Sequence, residues 1–480
     1  MVTQPKGMPA EKPIKWTSVN VQEIIDSGYR LNASAFGIEA RQVRKDLERC
    51  RWDIVHLGDK FIEDAFYLGR FKRTYVEEKV GIPFILPSQI TEIYPKANKF
   101  IAPTTNVDIE STRVENGQVL LTRSGTIGVV SYVSKTLENQ SLSDDVIRIK
   151  TTEYSGYVYA YLKSKVGNLL ISSNNYGAVI QHIEPEHLNH IPIPNPSSVL
   201  KQEIHDLIEE SFRLRDESNE LMDEAQMLLK TALQLPSIEA LQEQSEQFDK
   251  TAGVLNYSVS SSEVIDRLDG SYYVPIVKVI ERHIAKTARE VVKVGDSQIC
   301  QSVILPGRFK RVYVEEGSGV PFIGGKQIFE LDPNNKKYLS LTQHGNRIRD
   351  ELTLRANMIL VTCSGTIGKV AIVPKHWEDW TANQHIIRVV PSNNEIAGYL
   401  YAWISSDYAY SFITRYTHGA VIDEINDVQV SEIVVPLLRD ENVQTEINDT
   451  VLEANRKRTQ AYNLEQEALK VLDEKVIYAR

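Results

Sequence analysis

One long internal repeat constrains this chain of 480 residues more than any other feature. Residues 120–128, LLTRSGTIG, return as residues 360–368, LVTCSGTIG. Residues 69–78, GRFKRTYVEE, return as residues 307–316, GRFKRVYVEE. Further matches follow in the same order, and the offset drifts only from 238 to 243 residues. Because solenoid repeats have periods of about 20–50 residues, each copy here is a whole domain with its connector.

The composition is that of an ordinary globular protein, with 42% hydrophobic and 25% charged residues. A formal net charge of −10 argues mildly against a surface coated with nucleic acid, although it does not exclude local basic patches. The cysteines, Cys50, Cys300 and Cys363, are scattered and odd in number, which indicates a reducing compartment without a disulfide framework. We predict neither secretion nor membrane spanning, because a signal peptide and a long apolar run are both missing.

The pattern within each copy predicts a mixed domain rich in β-structure. Between residues 52 and 150, short apolar runs are broken by Gly, Pro and Asn. Residues 39–51 predict a short basic helix, whereas residues 154–173 and 396–416 predict helices whose aromatic side chains pack in a core. The segments that lead into the two copies are residues 28–36 and 266–273.

Each copy is followed by a heptad pattern. After the proline-rich exit at residues 191–198, apolar or small residues alternate in steps of four and three from Leu200 to Leu235. A second pattern, with a more polar seam, runs from Val443 to Val471 after Pro436. Because the second helix is unlikely to be stable alone, we predict that the two pack on each other. A helix of about 36 residues spans roughly 54 Å.

The predicted fold class is α+β, with two tandem mixed α/β domains separated by long helices that pair as an antiparallel coiled coil. This plan has an internal pseudo-two-fold symmetry. It places one globular domain, acting as a reader, at each end of the helix pair, and the length of the helices sets the distance between the two domains. The predicted segments are a flexible tail (1–19), a first domain (20–196), a central helix (197–236), a linker (237–262), a second domain (263–438) and a C-terminal helix (439–480).

No catalytic constellation stands out in the sequence. Gly325-Lys326 and Gly368-Lys369 lack the rest of a Walker A loop, and no glycine fingerprint suits a nucleotide cofactor. The Asn-Pro-Pro-aromatic tetrapeptide of amino-methyltransferases is missing, and no cysteine pair has metal spacing. We therefore predict a chain without enzymatic activity, bound metal or bound cofactor.

Two further clusters of candidate site residues in the first copy are not kept in the second copy, which argues against a shared function. A metal site at three nearby histidines is disfavoured because the second copy replaces them with another set of side chains. A shared catalytic carboxylate at Asp144-Asp145 is disfavoured because the second copy has Gln384-His385 there. The histidines are His182, His187 and His190, and their counterparts are Glu424, Gln429 and Glu432.

Both copies share a basic, hydroxyl-rich set that suits nucleic acid. Three cations within four residues match phosphate, and arginine also reads guanine edges. The alternative interpretation is a solvated strand edge, and for the hydroxyl residues it is plain turn chemistry. Glutamine is a candidate reader of adenine, although one glutamine is weak evidence. The candidates are Arg70, Lys72, Arg73, Gln89, Ser124 and Thr126 in the first copy, and Arg308, Lys310, Arg311, Gln327, Ser364 and Thr366 in the second.

From about residue 20 to the end, the chain resembles the DNA-specificity subunits of type I restriction-modification systems. The resemblance rests on the duplicated SGTIG loop, the GAVI-x-x-I segments at 177–183 and 419–425, the I-P-x-P exit at 191–194, and the heptad helix after each copy. The second exit, Ile-Val-Val-Pro at 433–436, lacks the first proline.

The resemblance implies two target-recognition domains that each read half of a split sequence in double-stranded DNA, with a spacer set by the helices. It implies a subunit without catalytic activity that docks two modification methyltransferase subunits. These bring S-adenosylmethionine and methylate adenine, and restriction motor-nuclease subunits join in some assemblies. The expected location is the cytoplasm, at the prokaryotic nucleoid. The sequence leaves two alternatives open: a coiled-coil scaffold that binds only protein, and a self-sufficient methyltransferase or nuclease with an unfamiliar site.

Two expectations go beyond the family. A rod near 54 Å corresponds to about 16 base pairs, so half-site centres should lie within that separation. The close match of the two GRFKR segments suggests shared backbone contacts. The divergence of residues 91–116 from residues 329–357 suggests that the two halves read different bases.

Overall fold

A computed structural model describes residues 18–26, 37–173, 182–245, 248–249, 254–255, 257–264, 267–419 and 421–479. Most of the predicted N-terminal tail, the segment 28–36 and residues 177–181 of the first GAVI segment lie outside the described residues. No helix among the described residues is long and apolar enough to cross a membrane.

Each copy contains a four-stranded antiparallel sheet with the same strand order. The strands in the middle of each sheet consist mainly of buried apolar residues, which is why they read as hydrophobic runs. A β-bulge interrupts the edge strand in both copies, between Ile62 and Asp64 and between Cys300 and Ser302. In spatial order the strands are Ile62–Phe66, Val146–Thr151, Val119–Thr122 and Val130–Tyr132 in the first copy, and Cys300–Ile304, Ile386–Pro391, Ile359–Thr362 and Val370–Ile372 in the second.

A second four-stranded sheet also repeats. Its last strand pairs in parallel with its neighbour, whereas the other pairs are antiparallel. The strands are Tyr75–Val76, Lys99–Ile101, Ile82–Ile85 and Ser141–Leu142 in the first copy, and Tyr313–Val314, Lys337–Ser340, Gly319–Ile323 and Thr381–Ala382 in the second. The sequence duplication is therefore a duplication of sheet topology.

Small two-stranded sheets close each copy at its exit. Ile54–His56 pairs with Pro192–Pro194, and Glu290–Lys293 pairs with Val434–Leu437. A further short pair is formed by Phe248–Asp249 and Val254–Leu255. The helices of four or more residues before the long ones are Val21–Asp26, Ile38–Glu48, Leu57–Lys60, Ile109–Thr112, Ser155–Lys163, Lys165–Ser173 and Pro185–Asn189. In the second half they are Ile238–Gln244, the 3-10 helix Gly270–Tyr273, Pro275–Thr287, Leu341–Arg347, the π-helix Ile348–Leu352, Asn394–Ile404, Asp407–Thr414 and Asp427–Ser431.

The aromatic helices pack in the core, as the sequence predicts. Tyr157 is buried, and its hydroxyl donates to the carbonyl oxygen of Pro194 at 2.7 Å. The matching Tyr399 donates to Pro436, and Trp403 donates to Val434 at 2.6 Å. Buried aromatic side chains place their polar atoms where a partner exists. Here they fasten each helix to the exit strand of its own copy.

Two long helices follow the copies, at Ser198–Ala232 and Glu441–Val471, and the second ends in a π-helical turn, Leu472–Ile477. They run antiparallel where they pack: Ser211 contacts Ala461 at 2.7 Å, whereas Glu217 pairs with Lys457 at 2.8 Å. The predicted seam is largely buried, so the prediction of paired antiparallel helices is confirmed. Its buried members include Leu200, Ile204, Ser211, Leu214, Ser218, Ala225 and Leu235, and Ile447, Ala454, Ala461 and Ala468.

The chain divides into two compact units, and the division cuts through both long helices. The first unit comprises the described residues of Met1–Thr91, Pro95–Glu209 and Leu464–Arg480, and the second comprises Glu92–Tyr94 and Glu210–Asn463. Each unit therefore contains one copy together with a part of each long helix. The predicted linker contains the helix Ile238–Gln244, capped by Ser237. The predicted domain boundaries themselves stay a prediction.

Buried polar side chains anchor the C-terminal long helix in each unit, to the helix Ser155–Lys163 in the first and to the other long helix in the second. In the first unit, Glu465 is fully buried, accepts a hydrogen bond from Tyr159 and pairs with Lys163 at 2.7 Å. In the second unit, the buried Arg458 donates to Ser218 at 3.3 Å. A polar group inside a helix seam favours the one register in which its partner is present.

Candidate nucleic-acid interface

Three segments that are distant in sequence meet in each copy. The first is the GRFKR segment, residues 69–73 or 307–311. The second is the SGTIG loop, residues 124–128 or 364–368. The third is a loop that precedes the second strand of the antiparallel sheet, residues 143–145 or 383–385, which we call the junction loop.

In the first copy, Arg73 connects the GRFKR segment to the junction loop. Its guanidinium forms an ion pair with Asp144, which is 4% exposed, and donates to the Ser143 hydroxyl at 3.2 Å. Asp144 also holds the pKa of Arg73 above its usual range, although burial acts in the opposite direction. Asp145 accepts a hydrogen bond from Ser124 of the SGTIG loop at 2.9 Å. The three segments therefore form one hydrogen-bonded junction.

In the second copy, Arg311 takes the place of Arg73 and donates to the side-chain oxygen of Gln384 at 2.5 Å. The Gln384 amide lies 3.0 Å from Nε2 of His385. Burial and the nearby Arg311 and Arg308 lower the pKa of His385. The junction has the same plan as in the first copy, with different chemistry at the junction loop.

The six predicted cations differ in how they are engaged. Arg73 and Arg311 are bound to the junction loops, and Arg308, although 78% exposed, pairs with Glu424 at 3.1 Å. The side chains of the remaining three cations are exposed. Within the described part of the chain they make no ion pair. These three are Arg70, Lys72 and Lys310.

The tip of each SGTIG loop projects into solvent. Gly125 and Gly365 have φ of +75° and +77°, and a Cβ atom added at either residue would meet nothing within 4 Å. Positive φ is a conformation that glycine adopts without strain. The side chains of Thr126 and Thr366 are exposed beside them. Ser124 and Ser364 are half-buried, and Ser364 donates to Glu424 at 3.5 Å.

Gln89 and Gln327 have a structural role that the sequence does not reveal. Gln89 accepts from the Leu86 amide at 3.2 Å and donates to the Lys96 carbonyl at 2.7 Å. Gln327 accepts from the Gly324 amide at 2.8 Å and donates to Asn334 at 2.9 Å. Both polar ends of each side chain hold a loop together. This engagement weighs against the predicted reading of adenine.

Residues 302–459 match the family of the type I restriction modification DNA specificity domain. Over these residues the chain is similar to type I DNA specificity domains. The match confirms the resemblance found in the sequence. The first copy repeats the motifs and both sheets of the matched part.

Solved structures similar to the chain include a type I restriction-modification S subunit from M. genitalium. It has 13% identity and a TM-score of 0.33, with 89% of this chain and 96% of that chain covered. The HsdS subunit from Thermoanaerobacter tengcongensis has 14% identity and a TM-score of 0.27, with 88% and 95% covered. Superpositions this loose support no statement about function. No curated protein matches the chain.

The second copy contains a buried arginine that is not among the site residues predicted from the sequence. Arg388 is 1% exposed and donates to the carbonyl oxygens of Ile386 at 2.6 Å and Asn383 at 3.2 Å. In the first copy, the buried Arg148 donates to Leu142 at 3.3 Å and Thr112 at 2.9 Å. Burial lowers the pKa of Arg148 to about 10 and that of Arg388 to about 9. Both arginines hold the backbone beside the junction loop, and the matching Arg in VIRIK and IIRVV is the signal that could have revealed them.

The loop after the helix Asp407–Thr414 also belongs to the junction of the second copy. The Gly365 amide donates to the Asp423 carbonyl at 2.9 Å, which fastens this loop to the SGTIG tip. Val421 is 96% exposed. At Gly419, with φ of +127°, a Cβ atom would lie 2.1 Å from the Ile422 carbonyl oxygen, so only glycine fits.

The three histidines of the first copy have separate surroundings. His187 accepts from the Glu184 amide at 3.1 Å, His190 stacks edge-on against His56, and His182 forms a β-bridge with Ser124. Within the described residues, no group of three or more His, Cys, Asp and Glu is arranged to hold a metal ion.

Proposed function

We propose that this chain is the DNA-recognition subunit of a type I restriction-modification complex and that each copy reads one half of a split target. The observation that carries the proposal is the duplicated junction. In each copy it joins a segment with exposed cations to a projecting glycine loop, and the second junction lies within the residues that match the DNA specificity family. Exposed cations suit phosphates, and a projecting loop suits the edges of bases in a groove.

The long helices support the separation of the two half-sites. In the second unit, their register is fixed by the buried contact of Arg458 with Ser218. A pair of helices that cannot slide keeps a constant length, which is what a spacer requires. The expected length of about 54 Å allows half-site centres within about 16 base pairs.

The proposal includes partners that supply the chemistry. Two modification methyltransferase subunits would dock on the chain, bring S-adenosylmethionine and methylate adenine within the target. Restriction motor-nuclease subunits would join the same assembly, in the cytoplasm at the nucleoid. The chain itself would neither make nor break a covalent bond, and its residues would bind, orient and discriminate DNA.

A transfer assay tests this division of labour. The purified chain, its methyltransferase copurified from the host and the mixture of both are each incubated with host DNA and radiolabelled S-adenosylmethionine. We expect sequence-dependent transfer to adenine only from the mixture, and a complex with two methyltransferases per chain by light scattering. Transfer by the chain alone would overturn the non-catalytic assignment, and a mixture without association would overturn the docking role.

A further inference from the structure

The junction loop holds different side chains on the same backbone frame in the two copies. The Ser143 amide donates to the Ile85 carbonyl at 3.1 Å, and the matching Asn383 amide donates to Ile323 at 3.0 Å. The loop carbonyls are matched too, because that of Asp145 accepts from the Arg123 amide at 3.0 Å. That of His385 accepts from the Cys363 amide at the same distance.

Side chains complete the common frame. The Ser143 hydroxyl accepts from the Asp145 amide at 3.2 Å, and the Asn383 side chain accepts from the His385 amide at 2.9 Å. Arg73 lies over the ring of Phe84 at 5.6 Å. Arg311 lies over the matching Phe322 at 5.4 Å. Because the backbone frames are this similar, residues 145 and 385 occupy equivalent positions in the two copies. What the two positions offer to a ligand therefore differs through their side chains.

In the first copy, the junction loop presents hydrogen-bond acceptors. Asp144 is buried against Arg73, and Asp145 is 27% exposed with Ser124 donating to its Oδ1. The second oxygen of Asp145 lies 3.8 Å from Arg73, which is beyond hydrogen-bond length. A carboxylate only accepts hydrogen bonds. This oxygen therefore suits a ligand that carries a donor.

In the second copy, a series of hydrogen bonds fixes which atoms donate and which accept, and the junction loop presents a donor instead of an acceptor. Arg311 only donates, so the atom of Gln384 that faces it must be the amide oxygen. The amide nitrogen of Gln384 then points at Nε2 of His385 and donates to it. A neutral imidazole that accepts at Nε2 carries its proton at Nδ1. His385 therefore offers a donor where Asp145 offers an acceptor.

We propose that Asp145 and His385 are specificity-determining residues that read base edges of opposite hydrogen-bonding character. Asp145 takes a base with an exocyclic amino group in the major groove, cytosine or adenine. His385 takes a base whose exocyclic group there is an acceptor, guanine with its O6 or thymine with its O4. This inference rests on the proposed function and assigns the difference between the half-sites to one residue in each junction loop.

Exchange of the two junction loops tests the inference. The variants are Asp144→Gln with Asp145→His in the first copy, and Gln384→Asp with His385→Asp in the second. Each is expressed in the host deleted for the wild-type gene, and adenine methylation is mapped across the genome. We expect one base of the affected half-site to change from an amino-bearing to an acceptor-bearing base, or the reverse, while the other half-site stays unchanged.

Binding measurements give the magnitude and protect against misfolding. The complex of chain and methyltransferase is titrated with duplexes of the mapped motif in which that one base pair is permuted. We expect each exchange to weaken binding to the original base by about 5- to 150-fold and to reverse the preference at that position alone. The single variants Asp145→Asn and His385→Gln, which keep the side-chain volume, should relax the same position.

The outcomes separate this inference from the proposed function. A wild-type chain whose deletion changes no methylated motif would overturn the proposed function. A wild-type split motif that persists unchanged in both folded exchange variants would overturn the inference alone. Thermal unfolding and complex formation, measured on the same preparations, identify the variants that are folded.

Discussion

Removal of the three exposed cations, Arg70, Lys72 and Lys310, should reduce the salt dependence of DNA binding. Each cation that neutralises a phosphate contributes about 0.9 to the slope of log K against log salt. Three such contacts give a total of about 2.7, and at 0.15 M salt the affinity should fall on the order of 100-fold. The assay is a titration of the chain with its methyltransferase against target duplex at several salt concentrations.

Two comparison variants make this result specific. Lys230→Ala with Arg282→Ala and Lys286→Ala removes three exposed cations from helices outside the junction and should leave the slope unchanged. Arg73→Ala and Arg311→Ala remove cations that are already bound to the junction loops. Loss of these two should lower sequence preference more than the salt slope.

An unchanged slope after the triple substitution would refute the assignment of these residues to phosphate contact. An equal loss of slope in the Lys230, Arg282 and Lys286 variant would show that the total charge, and not the junction, governs binding.

Further predictions concern the helices and the core. Glu465→Ala leaves the charge of Lys163 unpaired and should lower the free energy of unfolding in urea by about 3 kcal/mol, whereas the exposed Glu467→Ala should change it by less than about 0.5 kcal/mol. Burial lowers the pKa of His376 from 6.5 to about 4. As the pH falls, the unfolded chain therefore binds a proton at His376 before the folded chain does. The free energy of unfolding should be at its full value above pH 6.5 and fall by about 3 kcal/mol towards pH 4. His376→Gln should flatten that part of the pH–stability curve, and an equal slope in both proteins would contradict it. One heptad inserted after Glu209 and after Asn463 together should lengthen the spacer in the methylated motif by about 3 base pairs. The same insertion in one helix alone should prevent the two long helices from pairing. An unchanged spacer in the double insertion would refute the hypothesis that helix length sets the spacer.

The duplicated order of motifs was sufficient to predict much of the fold. Repeated apolar runs lie at the same positions of the same two sheets, and the heptad spacing predicts both helices and their pairing. These features depend on local periodicity, which a single sequence displays directly. The more polar second seam, which includes Lys457, indicated correctly that this helix needs a partner.

The junction could be predicted only in part. The repetition of GRFKR and SGTIG predicts that both belong to a site, whereas the difference between Asp144 and Gln384 argues against a shared role for them. Only the structure shows that Arg73 reaches across about 70 positions of sequence to Asp144, and that Arg311 does the same to Gln384. A difference on a common frame has no periodicity, so it gives no signal in one sequence. Gln89 and Gln327 show that a repeated residue can also have a structural role, because each holds a loop of its own copy.

The central claim is that this chain determines which split DNA sequence is methylated. The most direct measurement is genome-wide mapping of adenine methylation in the native host, with the gene, without it and with the gene restored. We predict that deletion removes one motif made of two half-sites and a fixed spacer, and that restoration returns it. A methylation pattern that is identical with and without the gene, while its methyltransferase is expressed, would contradict the claim.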